Sequence, residues 1–247
     1  MNNLPIFMQD SKTAEILKDV KASIPKTAKA YMIGGASRNS FYYKIFKEEL
    51  PQRDYDIWYS GNREQFIKNL RAHGFVYGKM KRKTHITLKK KKVSKPDKDN
   101  FSDYVILDIN FATDRHVLDN LKKHANFTIN GFAISIKDID SKNWYKNAIK
   151  LTGSLKDLKN KQLRVNSIEH PANLFACIRF MSKGFKAPPK EKIKELLIGL
   201  SKFEKWRYPR NVQKLFDYVG GEKEAKRLAR KLGIKPNIFV YEKLKKL

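Results

Sequence analysis

The sequence predicts an α+β fold, with a mixed β-sheet in its first half and helices alone after it. Short runs rich in β-branched and aromatic residues alternate with helical patterns up to Ile149. Beyond Ile149 the apolar residues recur mainly at helical spacing. The chain has 247 residues, of which 41% are hydrophobic, so it is long enough to bury one or two cores.

Each element of the first half is predicted from its hydrophobic period and from the turn residues that bound it. Strands are predicted at 31–33, 54–59, 75–77, 84–88, 104–111 and 127–134, and helices at 10–24, after Gly35, at 63–73 and at 114–124. Residues 89–103 hold four consecutive lysines and a Pro96-Asp97 turn signal. We therefore predict a long, exposed, basic hairpin loop there.

Three regions follow from these patterns. Residues 1–140 form the sheet domain, residues 141–187 a helical segment, and residues 188–247 a basic helical C-terminal region. Ala187-Pro188-Pro189 is the strongest boundary signal between helical patterns.

The charge of the chain points to a polyanionic partner. Lys and Arg number 53 against 25 Asp and Glu, giving a formal net charge of +28. Such an excess attracts nucleic acid strongly at ordinary salt. The residues predicted to contact RNA are Lys89, Lys90, Lys91, Lys92, Arg227, Arg230 and Lys231. The alternative for the lysine run is a solvated loop that charge keeps away from its neighbours.

The localisation is predicted from apolar runs, targeting signals and cysteine content. We find no long apolar run and no signal peptide, so no membrane partner is expected. The single cysteine, Cys177, excludes an intramolecular disulfide and a Cys-based zinc site, and it is predicted to be a core residue. We expect a soluble protein of the cytoplasm or another reducing intracellular compartment. No obligate protein partner is indicated.

The residues with chemical potential are a glycine pair and three carboxylates. Gly34 and Gly35 join a strand to a helix, a geometry that presents free backbone N–H groups to a phosphate. Asp54 and Asp56 are two residues apart on a strand and point the same way, so they can hold divalent cations. Asp108 lies within an apolar strand, where a charge needs a partner or a cation. By contrast, His73, His85, His116 and His124 have no spacing that joins them to carboxylates as a metal site.

Together with further motifs, these residues resemble the class II tRNA nucleotidyltransferases (CCA-adding enzymes) and bacterial poly(A) polymerases. The motifs occur in the family's order over residues 28–187. They are Gly34-Gly35-Ala36-Ser37-Arg38-Asn39, Asp54-Tyr55-Asp56, Asp108, Asn126-Phe127-Thr128-Ile129-Asn130, Gly153-Ser154-Leu155-Lys156-Asp157-Leu158 with Leu163-Arg164, and Glu169-His170-Pro171 through Ile178-Arg179-Phe180.

The resemblance implies a polymerase-β-like nucleotidyltransferase head, a helical neck and a short helical C-terminal region. In this family Asp54 and Asp56 would bind two Mg²⁺ ions, and Asp108 would assist at the ion beside the RNA 3′-hydroxyl. The triphosphate would be held by Gly34, Gly35, Ser37 and Arg38. The implied activity is template-free transfer of NMP to an RNA 3′ end, with tRNA as the favoured acceptor and ATP or CTP as donor.

The chain departs from the family pattern outside the three carboxylates. Asn39 and Asn126 stand where the family has Asp, and Asn126 is expected to bond a ribose hydroxyl instead. His170 and Asn173 replace the Asp and Arg that read the base. We predict that they lie at i and i+3 on one helix face and still hydrogen-bond a base. Arg179 is retained as a nucleotide-binding residue.

Two rival hypotheses remain open from the sequence. The first keeps the fold but adds oligo(A) or modifies another acceptor. The second is a non-catalytic RNA-binding module with a vestigial site. The three intact carboxylates argue against the second, because drift would not be expected to spare all of them.

Overall fold

The computed structural model describes residues 4–52, 54–81, 83–92, 103–112 and 116–244, without the side chains of residues 79–81. The predicted Pro96-Asp97 turn and the predicted helix start at Asp114 lie outside these residues. Within the described chain the fold is α+β, as predicted.

Over the described ranges, one mixed sheet contains seven strands. They are β1 Lys29–Ile33, β2 Tyr55–Ser60, β3 Val76–Lys81, β4 His85–Lys91, β5 Tyr104–Phe111, β6 Phe132–Ser135 and β7 Ile149–Lys150. Their spatial order is β3-β4-β5-β2-β1-β6-β7. Neighbours are antiparallel except β2 and β5, which run parallel at the centre of the sheet.

The helices are more numerous toward the C-terminus. They are α1 Ser11–Ser23, α2 Gly34–Phe46, α3 Arg63–Ala72, α4 Val117–His124, α5 Trp144–Asn147, α6 Ser154–Lys159, α7 Asn173–Met181, α8 Lys190–Ser201, α9 Tyr208–Val219, α10 Glu222–Lys231 and α11 Tyr241–Leu244. Asp10 caps α1 by accepting a hydrogen bond from the Thr13 N–H. No helix in the described parts of the chain has the length and apolar character needed to cross a membrane.

The central strands alternate between a buried and a half-buried face, as the strand period requires. In β5, Val105, Leu107 and Ile109 are fully buried, whereas the residues between them, Asp108 among them, are half-buried. In β4, Ile86 and Leu88 are buried in the same way. One face of the sheet therefore forms the core, and the other is free to carry polar side chains.

The chain divides into two compact units. The first comprises residues 1–122 and 130–154 and contains all seven strands. The second comprises residues 123–129 and 155–247. Its core includes an aromatic cluster in which the ring of Phe175 contacts those of Phe203, Tyr208 and Phe239. Cys177 is buried there as predicted. The three-region division made from the sequence stays a prediction.

Two predicted elements need correction. Lys89, Lys90 and Lys91 belong to strand β4 rather than to a loop, because they pair with Ile106, Val105 and Tyr104 of β5. The predicted strand over 127–134 begins only at Phe132, since Thr128–Asn130 forms a single helical turn. Because Lys89–Lys91 lie on a strand, Lys89 and Lys91 share one face of the sheet and Lys90 lies on the other.

Candidate active site

The N-terminus of α2 presents a phosphate-binding geometry. The helix starts at Gly34, directly at the end of β1, and among the described residues no side chain caps its first turn. The first N–H groups of a helix have no partner within it, and they carry the positive end of the helix dipole. This helix start can therefore bind an anion such as a triphosphate.

Gly34 is required by the close approach of Asp56. The backbone of Gly34 has a φ of +63°, which favours glycine. A Cβ at this position would lie 2.5 Å from Oδ2 of Asp56. The glycine thus allows the helix start and the carboxylate to lie side by side.

Asp56 and Asp108 occupy directly adjacent positions of the two parallel strands β2 and β5. Asp54 lies one residue before β2. The pKa of Asp56 is raised to about 7, mainly by desolvation and also by the negative charges of Asp54 and Asp108. His85 and Arg38 act in the opposite direction. Three carboxylates thus lie close enough together to disfavour one another's charge.

Asp108 is held by strand β4. The Thr87 hydroxyl donates a 2.7 Å hydrogen bond to Oδ1 of Asp108. His85 Nε2 is buried, lies 3.8 Å from the same oxygen and has no hydrogen-bond partner among the described residues. The Asp108 carboxylate and the hydrogen bond between His85 Nδ1 and Asn110 raise the pKa of His85. Sequence reasoning missed His85 and Thr87, because only the strand register places them beside Asp108.

The donor set fits Mg²⁺. Mg²⁺ is usually held by one or two carboxylates, phosphate oxygens and waters rather than by a complete protein cage. The crowded carboxylates beside a phosphate-binding helix start match that requirement. In the described part of the chain, no group of three or more His, Cys, Asp or Glu side chains is placed so that it could hold a metal ion. The fit to Mg²⁺ therefore relies on phosphate oxygens and waters in addition to the carboxylates. Metal binding by Asp54, Asp56 and Asp108 stays a prediction.

Ser37 and Arg38 differ in what they offer to a phosphate. The Ser37 side chain is fully buried and donates a 2.6 Å hydrogen bond to the Met32 carbonyl oxygen. The hydroxyl is thus engaged within the protein, and triphosphate binding by Ser37 stays a prediction. Arg38 is half-buried and donates to Asn130 Oδ1 at 2.7 Å and to Asn39 Oδ1 at 2.8 Å. Its guanidinium is thereby held on the first turns of α2.

Asn39 links this arginine to the segment that leads into β2. It is 2% exposed, and its Nδ2 donates to Gln52 Oε1 at 2.9 Å and to the carbonyl oxygens of Leu50 and Pro51. Gln52 in turn donates to the carbonyl oxygen of Asp54. An aspartate could accept from Arg38 but could not donate to Gln52 or to the carbonyls. Asn39 is therefore specific to the hydrogen bonding of this chain.

Replacing Asn39 with Asp is expected to destabilise the protein by about 2 kcal/mol, because a buried carboxylate has no hydrogen to donate to the three acceptor oxygens that Asn39 Nδ2 contacts. Urea unfolding measures the change. Asn62→Asp is the matched control, since Asn62 caps α3 through its side-chain oxygen and Asp caps equally well. Equal stability of the Asn39→Asp variant and the parent would contradict this hydrogen-bond assignment.

In the second unit, the structure corrects the expected geometry of His170 and Asn173. His170 precedes α7, which begins at Asn173, so the two do not lie on one helix face. Asn173 is 5% exposed and its Nδ2 donates to the Ser167 carbonyl oxygen at 2.9 Å. His170 is exposed, and its Nδ1 accepts from the Ala172 N–H at 3.1 Å. Base reading by this pair stays a prediction.

The other predicted binding residues of the second unit are engaged to different degrees. Asn126 Oδ1 accepts a 2.9 Å hydrogen bond from the Phe127 N–H. Arg179 is exposed, with its guanidinium 5.4 Å from the ring centroid of Tyr218. Arg227 forms an ion pair with Glu224, whereas Arg230 and Lys231 form none within the described chain. The predicted nucleotide and RNA contacts of these residues stay predictions.

Solved structures of similar shape decide the fold. A tRNA nucleotidyltransferase complexed with a primer tRNA and an incoming ATP analog is 23% identical with a TM-score of 0.62, over 88% of this chain and 60% of that one. A Thermotoga maritima CCA-adding enzyme complexed with tRNA is 17% identical with a TM-score of 0.65, over 91% and 52%. This chain has their fold. The predicted polymerase-β-like architecture is thereby confirmed.

A CCA-adding enzyme in complex with CTP is also similar, at 20% identity and a TM-score of 0.63, over 96% of this chain and 53% of that one. Neither a family model nor a curated protein sequence matches this chain. The chain spans between about half and three fifths of the length of the three similar enzymes. At these identities the similarity establishes the fold alone.

Proposed function

We propose that this protein transfers a nucleoside monophosphate from a nucleoside triphosphate to the 3′-hydroxyl of an RNA, and that the RNA is a tRNA. One observation carries the proposal: Asp56 lies in register with Asp108 and directly beside Gly34 at the start of α2. A triphosphate-binding helix start and paired carboxylates are the two halves that nucleotidyl transfer needs.

The fold supports the choice of acceptor and donors. The similar solved enzymes are described as complexes with tRNA, an ATP analog or CTP. The net charge of +28 suits an RNA substrate. We therefore infer ATP and CTP as donors.

The residues of the first unit would act mainly by binding and orienting. The free N–H groups of α2 and the Arg38 guanidinium bind the triphosphate. Thr87 orients the Asp108 carboxylate by donating a hydrogen bond to its Oδ1. Mg²⁺ held by Asp54, Asp56 and Asp108 would neutralise charge that develops on the phosphates.

The reaction itself needs no covalent intermediate on the protein. The oxygen of the RNA 3′-hydroxyl forms a bond to the α-phosphorus, the bond between that phosphorus and the bridging oxygen breaks, and pyrophosphate leaves. The hydroxyl proton passes to solvent. The site described here supplies position and charge for this displacement rather than a nucleophile.

The proposal predicts that purified protein with Mg²⁺ incorporates label from ATP or CTP into tRNA that lacks its 3′-terminal CCA. Sequencing the product ends then gives the nucleotides added and their order. Each NTP is supplied alone and in combination, and an Asp54→Ala/Asp56→Ala variant serves as the control. Incorporation that survives this double substitution would contradict the assigned site. Absence of incorporation with every NTP would favour the RNA-binding module.

A further inference from the structure

The four lysines of the basic run point in alternating directions, because Lys89–Lys91 lie on strand β4. Lys90 Nζ lies 2.5 Å from Oδ2 of Asp19, a residue of α1. Lys92 Nζ lies 3.4 Å from Oδ2 of Asp10, which caps the same helix. Two of the lysines are thus paired with carboxylates of α1 and serve the stability of the sheet unit.

Lys89 and Lys91 lie on the opposite face of β4. They pair in register with Ile106 and Tyr104 of β5, on the same side as the pair formed by Thr87 and Asp108. Lys89 Nζ lies 4.5 Å from the ring centroid of Tyr104. Lys91 is exposed and forms no ion pair within the described chain. Two positive charges and an aromatic ring therefore extend from Asp108 along the carboxylate face.

The position of this row separates it from the triphosphate site. In the sheet order β4-β5-β2-β1, the carboxylates occupy the middle strands β5 and β2. Gly34 and Arg38 lie on the β1 side of them, and the lysine row lies on the β4 side. A second anion that reaches the carboxylates from the β4 side would meet Lys89 and Lys91.

We propose that Lys89, Lys91 and Tyr104 bind the unpaired 3′-terminal segment of the acceptor RNA, an inference that rests on the proposed transfer function. Strand residues rise about 3.3 Å each, so Lys89 and Lys91 lie about 7 and 13 Å along β4 from Thr87. The two ammonium groups contact successive phosphodiesters, and the Tyr104 ring stacks on a base. Contacts with RNA phosphates and stacking on a base do not depend on which base is present. This surface therefore accepts RNA ends of varied sequence.

The alternation of the lysines supplies a matched experiment on the full chain. Lys89→Gln/Lys91→Gln and Lys90→Gln/Lys92→Gln each remove two charges from the same stretch. Binding of a fluorescent, unpaired oligoribonucleotide is measured by anisotropy over a range of salt concentrations, without NTP or Mg²⁺. Tyr104→Leu is measured in the same way. Thermal unfolding is recorded for every variant.

We expect Lys89→Gln/Lys91→Gln to weaken binding about tenfold and to reduce the slope of log K against log salt by about 1.4, as two phosphate contacts would. Tyr104→Leu is expected to weaken binding about fivefold or more without a change in that slope. Lys90→Gln/Lys92→Gln is expected to keep the slope and to lower the melting temperature. Equal loss of slope in both lysine pairs, or no loss in the first, would overturn the inference.

Transfer assays separate this inference from the proposed function. With tRNA lacking its 3′-terminal CCA, Lys89→Gln/Lys91→Gln is expected to raise the KM for RNA while the KM for NTP stays unchanged. If RNA binding distinguishes the two faces but no nucleotide is incorporated, the transfer function fails and the RNA surface stands. If transfer proceeds and the KM for RNA is unaffected, the surface fails and the transfer function stands.

Discussion

Replacing Asp56 with Asn is expected to reduce nucleotidyl transfer by about a thousandfold or more while making the metal-free protein more stable. The loss of rate follows because charge stabilisation by a held metal ion is worth several kcal/mol in the transition state. The gain in stability follows because desolvation and the charges of Asp54 and Asp108 raise the pKa of Asp56 to about 7. Removing the charge removes the mutual repulsion.

The sign of the pH effect is fixed by that pKa. An unfolded chain releases the Asp56 proton near pH 4, whereas the folded metal-free protein releases it near pH 7. Folding therefore takes up a proton between these values, and stability falls as the pH rises through this window. Above pH 7 the cost is fully present, at about 4 kcal/mol for a shift of about three pKa units. The Asp56→Asn variant is expected to lack this fall.

Thermal unfolding at pH 5 and pH 8, with EDTA and with Mg²⁺, measures these effects. Mg²⁺ is expected to raise the melting temperature of the parent at pH 8 and to have much less effect on the variant. Asp119→Asn is the control, since Asp119 is an exposed residue of α4 whose ion pair with Lys122 spans 3.9 Å. If the stability of the parent protein is unchanged or rises between pH 5 and pH 8, the raised pKa of Asp56 beside Asp54 and Asp108 is contradicted.

The sequence predicted the fold and the carboxylates because both depend on local pattern. Alternation of apolar and polar residues in the strands and helical spacing beyond Ile149 are visible in a single chain. Asp108 stands out as a charge in an apolar strand. The glycine pair before a helix indicates phosphate binding whatever the rest of the fold.

The features that could not be predicted from the sequence depend on strand register and on residues distant in the chain. Lys89–Lys91 has the composition of a solvated loop, and it becomes a strand because β5 supplies the hydrogen bonds and Asp19 accepts from Lys90. His85 gains its place beside Asp108 from the same register. The predicted helical pairing of His170 and Asn173 fails because α7 begins only at Asn173.

Replacing Gly34 with Ala is expected to reduce transfer by about a hundredfold or more, although all three carboxylates remain. The added Cβ would lie 2.5 Å from Oδ2 of Asp56, so the carboxylate or the helix start must shift. The backbone φ of +63° adds a cost of about 1 kcal/mol for any residue with a Cβ. A displacement of about 1 Å at a reacting centre is enough for such a loss of rate.

Gly35→Ala separates this clash from a general sensitivity of the glycine pair. A Cβ at Gly35 would meet its nearest heavy atom, Nη2 of Arg38, at an ordinary 3.7 Å, and its φ is not positive. We expect the free energy of unfolding of Gly35→Ala to lie within about 1 kcal/mol of that of the parent. Gly34→Ala is expected to be clearly less stable. Full transfer activity in Gly34→Ala would show that contact between the helix start and Asp56 is not needed. A loss confined to Gly34→Ala would show that the site depends on where Asp56 lies as well as on its charge.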